Sequence, residues 1–119
     1  MRLLRIVSLM TPHDRYYALA GPGALSAFRR ERLLRRLQAV DAGVTSVVAR
    51  HVHFVHAARE LSADESARLA ALLDYGDAAD AQESGERFLV VPRLGTISPW
   101  ASKATDIARN TWLAAVRRV

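Results

Sequence analysis

Apolar residues recur at helical spacing in three parts of the chain. The first predicted helix runs from about Ala24 to Val40, and Gly43 is a suitable C-terminal stop. Its apolar residues share one side at the 3.6-residue period, and these are Leu33, Leu34, Leu37 and Val40. Basic residues occupy the other side, and these are Arg29, Arg32, Arg35 and Arg36. The pattern predicts an amphipathic helix with a charged outer side.

The second predicted helix has the best local signals. Residues 62–65 (Ser-Ala-Asp-Glu) form a capping box, in which the serine accepts a hydrogen bond from an unpaired amide and the glutamate reaches back to the serine amide. Leu69, Leu72 and Leu73 form its apolar stripe. Gly76 is the predicted C-terminal cap, and residues 77–85 are polar and predicted to form a loop.

Apolar and β-branched runs between the helices predict strands. A short strand at Tyr16–Ala20 is followed by a break at Gly21-Pro22-Gly23. Residues 44–57 have the length of one long strand or two short ones. Phe88–Val91 reads as a short buried strand, and 112–119 as a final strand. With a third helix at about 100–110, the order β-α-β-α-β-α-β predicts an α+β fold, an antiparallel sheet with helices on one face.

Composition narrows the class of protein. The chain of 119 residues has no cysteine, which excludes a disulfide scaffold, thiolate zinc sites and a cysteine nucleophile. Arg5 interrupts the apolar start, which argues against a signal peptide, and no apolar run is long enough to cross a bilayer. We therefore expect a cytoplasmic protein with no membrane association.

Charge is unevenly distributed around a net value of +5. Residues 25–40 hold five arginines and one glutamate, whereas residues 60–86 hold eight acids and one arginine. Such a dipolar chain favours docking between charged surfaces over a uniform field for nucleic acid.

The most specialised run is Pro92–Asn110. It combines a glycine, four hydroxyl side chains, a tryptophan and the single lysine of the chain, and Pro99 lies at or just before the first turn of the third helix. The candidate contact residues are Arg93, Thr96, Ser98, Trp100, Ser102, Lys103 and Asp106. From the residues alone, two interpretations stay open. One is an anion site at a helix N-terminus; the other is a capped helix with a packed tryptophan and an Arg93–Asp106 ion pair.

This run closely resembles a family motif. It reads PRLGTISPWASKATDIARN, and the pattern PRxGTISPWSSKATDIAxN is that of the large single-chain phosphoribosylformylglycinamidine synthases, with Ala101 where serine is usual. Upstream stretches are also similar, and these are 21–29 (GPGALSAFR), 52–55 (VHFV) and 72–76 (LLDYG). The resemblance covers about Tyr17 to Val119.

The resemblance implies a role in de novo purine synthesis. The parent enzyme is an ATP-dependent carbon–nitrogen ligase, which converts formylglycinamide ribonucleotide, glutamine and ATP to the amidine, glutamate, ADP and phosphate. A synthetase region binds ATP and Mg²⁺, and a separate glutaminase region uses a cysteine nucleophile. We expect this chain to hold no catalytic residue, metal or cofactor of its own. It would instead bridge those two regions through the seven candidate contact residues.

The resemblance also implies a domain organisation. The N-terminal region of the family looks like two fused copies of a βαββαβ unit. Residues 16–87 would be the first unit, and residues 88–119 the beginning of a second, truncated copy. Residues 1–15 would be an extension of unknown role, and the chain a fragment of a longer enzyme.

Two other interpretations rest on particular residues. The arginine side of the first helix could contact phosphates, which would make the chain an independent basic module for a protein or RNA partner. Only Phe28 could stack nearby and no groove-reading motif is present, so a solvated or docking face is favoured. His51, His53 and His56 could suggest a metal site, but a strand places His56 on the opposite face from the other two, which favours structural roles.

Overall fold

The computed structural model describes residues 4–6, 13–78 and 84–119. Its strands are β1 (Leu4–Ile6), β2 (Arg15–Gly23), β3 (Arg50–Ala57) and β4 (Val116–Arg118), and its helices are α1 (Ala27–Gln38), α2 (Ala63–Leu72) and α3 (Pro99–Asn110). Residues 1–3 and 7–12 of the predicted extension, and residues 79–83 of the predicted 77–85 loop, lie outside the described residues.

The strands form one antiparallel sheet in the order β1-β2-β3-β4. In the central pair Tyr17 lies opposite Val55 and Leu19 opposite His53, and all four side chains are buried on one face. Helices α2 and α3 cover this face. The predicted α+β class with an antiparallel sheet is confirmed.

The core lies between this face of the sheet and the two helices. Its buried members are Tyr17, Leu19, Val55, Ala57, Leu61, Leu69, Leu73, Ala108, Leu113, Ala115, Val116 and Val119. The hydroxyl of Tyr17 accepts a hydrogen bond from the backbone amide of Leu61 at 3.0 Å, so the loop before α2 is attached directly to β2.

The start of α2 forms as its sequence predicts. The Ser62 hydroxyl accepts a hydrogen bond from the Glu65 amide at 3.2 Å, and the Glu65 carboxylate accepts one from the Ser62 amide at 2.8 Å. Both Arg59 terminal nitrogens donate to the same carboxylate at 2.8 Å. The predicted cap at Gly76 is wrong, because α2 already ends at Leu72; Gly76 has a left-handed φ of 74° in the turn beyond it.

The predicted buried strand at Phe88–Val91 is not a strand. These residues have no regular structure, and their side chains are 57–91% exposed. Their apolar, β-branched character creates a preference for extended structure. A strand also needs a partner edge, and no described strand pairs with this segment.

The first helix is shorter than predicted and lies outside the core. Helix α1 spans 27–38 rather than 24–40 and has no buried residue. Leu33 and Leu37 of its apolar side are 37% and 38% exposed. The face of the sheet that holds the core is covered by α2 and α3 and not by α1.

Strand boundaries also differ, and either strand pairing or a backbone turn explains each difference. The predicted break at 21–23 is an irregularity within β2, whose pairing shifts between Ala20 and Gly23. Strand β3 starts at Arg50 rather than Val44 because β2 supplies no partner before the Gly23–Arg50 pair. The final strand covers only 116–118, since the chain first turns at Trp112, which has a φ of 66°.

Strand β4 belongs to the same sheet as the earlier strands. Its Val116 pairs with Ala57 and its Arg118 with His56 of β3. Residues of the two predicted units therefore share one sheet, and the assignment of 88–119 to a second copy stays a prediction.

Candidate functional site

The loop at 92–98 leads into α3, whose start is fixed by local chemistry. Ser98 is the N-cap, and its hydroxyl accepts a hydrogen bond from the Ala101 amide at 3.0 Å. Pro99 occupies the first helical turn, where its missing N–H leaves no bond unmade. The predicted start and end of this helix are confirmed.

The polar candidate residues of this run face solvent. Arg93, Thr96, Lys103 and Asp106 are exposed, and Ser102 is half-buried. The predicted Arg93–Asp106 ion pair is wrong: both residues are described, and no such pair joins them. Four charged or hydroxyl-bearing side chains are thus available on the outer side of the loop and helix.

Trp100 packs against the sheet through one face of its ring and joins an aromatic cluster, while its side chain remains 45% exposed. Its indole stacks on the imidazole of His53, with ring centroids 5.1 Å apart and planes 14° apart. Tyr75 closes the cluster, with its ring centroid 6.2 Å from that of Trp100 and 5.6 Å from that of His53. The Tyr75 hydroxyl lies 3.4 Å from Nε2 of His53. One residue each from β3, the turn after α2 and the start of α3 therefore meet here.

Burial determines the charge of this cluster. His53 is 4% exposed, and desolvation lowers its pKa from the ordinary value of 6.5, with a further lowering from His51. Burial likewise raises the pKa of the Tyr75 hydroxyl. Both groups are therefore neutral near pH 7, and the cluster is a packed, uncharged joint between the sheet and α3.

Gly21 makes room for the histidine. A Cβ atom at this position would lie 2.7 Å from Nε2 of His53 and 3.0 Å from the carbonyl oxygen of His51. No side chain larger than hydrogen fits between β2 and the imidazole without displacement. The glycine therefore has a steric role in seating His53.

Thr105 attaches α3 to the end of the sheet. Its buried hydroxyl donates to the Ala101 carbonyl at 2.7 Å and accepts from the Val119 amide at 3.1 Å. The helix that carries Trp100 and Lys103 is therefore connected to the sheet at its start by the aromatic cluster and at its middle by this hydrogen bond.

An apolar groove runs between α2 and α3 beside the cluster. Its volume is about 370 Å³. It is lined by Leu69, Leu72, Leu73, Tyr75, Trp100, Lys103, Ala104, Ile107, Ala108 and Val119. Lys103 is the single charged residue of this lining.

His56 lies apart from this cluster. Nε2 of His56 is 3.1 Å from Oδ2 of Asp14, and its ring stacks on Tyr16 on the opposite face of the sheet. Within residues 4–6, 13–78 and 84–119, no three His, Cys, Asp or Glu side chains converge as a metal site would require. None of the helices in that part of the chain has the length and apolar character to cross a membrane.

Sequence reasoning singled out Trp100 but missed its partners as members of a site. His53 and Tyr75 are separated by 22 positions, and Trp100 follows after a further polar loop. The spacing of these residues in the sequence does not predict that their side chains lie together in the structure. The only indication was that both residues fall within the short stretches 52–55 and 72–76 that resemble the synthases.

Comparison with known families decides what this arrangement belongs to. The family described as "Formylglycinamide ribonucleotide amidotransferase N-terminal" matches residues 50–119, which is more than half of the chain. The chain belongs to this family. It is therefore an N-terminal domain of phosphoribosylformylglycinamidine synthase, with a role in purine biosynthesis.

The matched range contains most of the site. All seven candidate contact residues, the aromatic cluster, the groove and β4 lie within residues 50–119. Gly21 and the rest of the 21–29 stretch precede the match, so their resemblance to the family stays a prediction.

Proposed function

We propose that this domain is a scaffold and docking element of phosphoribosylformylglycinamidine synthase and is not itself catalytic. It would bridge the synthetase region, which binds ATP and Mg²⁺ in the parent carbon–nitrogen ligase, and the glutaminase region. The parent enzyme would act in the cytoplasm. This domain would hold those regions in a fixed relative position, so that ammonia released in the glutaminase region reaches the synthetase region without contact with water.

The observation that carries the proposal is that some side chains within residues 92–106 fix the start of α3 while others are exposed to solvent. Ser98 caps the helix start and Trp100 packs it against the buried His53, while Arg93, Thr96, Lys103 and Asp106 project into solvent. A reactive centre usually combines a cleft with charged groups of perturbed pKa. The cluster instead holds a neutral, enclosed histidine, which favours a supporting role.

The requirement for docking follows from the chemistry of ammonia. In water, released ammonia is protonated and lost as a nucleophile, so a closed path between the two regions must exclude solvent. A domain that positions both regions would act on glutamine-driven turnover more strongly than on turnover with external ammonia.

The test is Trp100→Ala in the full-length synthase. We expect glutamine-driven turnover to fall by up to roughly a hundredfold, because a misplacement of about 1 Å far from the chemistry can carry a rate cost of this order, and ammonia-driven turnover to fall less. Trp112→Ala is the matched control, since Trp112 is 84% exposed and outside the cluster. Unchanged turnover with both nitrogen sources in Trp100→Ala would reject the docking role.

A second candidate function rests on α1. Its exposed basic side, with Arg29, Arg32, Arg35 and Arg36, would suit an independent module that binds a protein or RNA partner. Salt-sensitive binding of a single-stranded RNA by the 119-residue chain, lost on replacing these arginines with glutamine, would favour this function over the scaffold role.

A further inference from the structure

We propose that the groove between α2 and α3 is the binding site of an apolar polypeptide segment that carries a carboxylate. Another region of the synthase would supply this segment. This inference rests on the proposed docking function and names the surface and the chemistry of its partner. The carboxylate would meet Lys103, and apolar side chains would cover the helices on either side of it.

The lining of the groove sets the apolar part of the partner. Leu72 from α2 and Ile107 from α3 both line the groove, together with the aromatic side chains of Tyr75 and Trp100. Ile107 is 43% exposed and Trp100 45% exposed, so large apolar side chains on this surface are left in contact with water. A volume of about 370 Å³ is enough to accept apolar side chains of a partner.

Lys103 sets the charge of the partner. It is the one charged residue of the lining, and no ion pair engages it within the described part of the chain. A carboxylate seated beside these apolar walls would form a charge-assisted hydrogen bond with the ammonium group in partial isolation from water. A basic segment would instead place two like charges together at that position.

The apolar surface before α3 favours a polypeptide over a small molecule. In the loop that leads into Trp100, Leu94 is 95% exposed and Ile97 is 64% exposed. Soluble proteins seldom leave so many large apolar side chains uncovered in one run unless they form an interface. A small ligand in the groove would leave the loop uncovered, whereas a polypeptide surface can cover both.

A crosslinking experiment in the full-length synthase tests directly whether the groove binds such a segment. The photoreactive residue p-benzoylphenylalanine replaces Ile107 in the groove, and in a matched control it replaces Arg68, an exposed residue of α2 outside the lining. After irradiation, we expect mass spectrometry to find the position-107 crosslink in a segment beyond residue 119 that is rich in apolar residues and contains Asp or Glu. The control should not label that segment.

Three outcomes overturn the proposal. These are a crosslink confined to residues 1–119 of the same or a second copy, no position-107 crosslink in an active enzyme, and a small amphiphile retained in the groove by native mass spectrometry.

Charge reversal then identifies the carboxylate. We expect Lys103→Glu to reduce the position-107 crosslink at least fivefold, and a second substitution that changes the identified acid to lysine to restore it. Crosslinking that is insensitive to Lys103→Glu would refute the charge assignment. The crosslink can form and respond as expected while the ratio of glutamine-driven to ammonia-driven turnover stays constant in Lys103→Glu. That result would support the binding site in the groove and refute the bridging function.

Discussion

The imidazole of His53 and the indole of Trp100 lie nearly parallel, with centroids 5.1 Å apart. His53 belongs to β3 and Trp100 to the first turn of α3, so this stack joins the sheet to the helix that begins within the family motif. The hydroxyl of Tyr75 approaches the same imidazole from the turn after α2. The position of the motif therefore depends on a buried histidine far from it in sequence.

The first prediction concerns pH. Burial, followed by His51, lowers the pKa of His53 below 6.5. Below that pH the unfolded chain binds a proton that the folded chain does not, so stability is present above pH 6.5 and decreases as the pH falls toward the native pKa. We expect the Tm to fall between pH 7.5 and 5.5, and to fall by less in His53→Gln, as measured by circular dichroism.

His13→Gln is the control for this pH dependence, because His13 is exposed. It should preserve the wild-type difference in Tm between the two pH values. Identical pH dependence in wild type and His53→Gln would contradict the burial of His53.

The second prediction concerns Gly21. Gly21→Ala places a methyl group 2.7 Å from Nε2 of His53 and 3.0 Å from a backbone oxygen, which forces the stack or the strand to move. We expect a loss of about 1–3 kcal/mol in the free energy of unfolding, measured by urea denaturation. Tryptophan fluorescence should report a more exposed Trp100.

Gly43→Ala is the matched substitution at an exposed site. Its new methyl group would meet only the flexible side chain of Asp41, so the change should stay within about 0.5 kcal/mol. Equal stabilities for the two alanine variants would show that His53 does not need the space beside Gly21.

The third prediction concerns acid stability at the start of α2. Hydrogen bonds from Arg59 and from the Ser62 backbone lower the pKa of Glu65 to about 2, from an ordinary 4.5. The ionised carboxylate therefore stabilises the fold above pH 4.5, and this contribution disappears as the pH falls from 4.5 to about 2. Urea midpoints should decline over this interval in wild type and decline less in Glu65→Gln.

Asp64→Asn serves as the control for Glu65→Gln, since the neighbouring Asp64 is exposed and takes no part in the capping box. It should retain the wild-type acid dependence. A decline of the same size in Glu65→Gln would mean that other groups account for acid sensitivity.

The fourth prediction concerns the cap of α3. Ser98→Ala removes the hydroxyl that accepts from the Ala101 amide, and we expect a loss of about 1 kcal/mol in the free energy of unfolding. Ser98→Asp should retain most of the stability because a carboxylate can accept the same bond and favours a helix N-terminus. Thr96→Ala, at an exposed position, should change stability by less than about 0.5 kcal/mol. Urea denaturation measures all three, and a neutral Ser98→Ala would argue against the cap.

Local signals predicted α2 and α3 well and predicted α1 less well. The capping box at Ser62 and the Ser98-Pro99 pair act within four residues, so the information that starts each helix is present in the adjacent sequence. The apolar side of α1 has the right period, but its burial depends on whether another element already covers the sheet. Helices α2 and α3 cover its core face, and the leucines of α1 stay partly exposed.

The sequence by itself determined the family motif, the absence of cysteine chemistry, the N-terminal caps of α2 and α3 and the α+β class, because each depends on residue identity or on neighbours within one or two turns. Only the tertiary structure decided that Phe88–Val91 remains outside the sheet and that His53, Tyr75 and Trp100 meet. It also decided that Lys103 borders an apolar groove. Strand formation requires a partner edge, and a cluster requires several elements to converge, and neither condition is encoded in the spacing of a single segment.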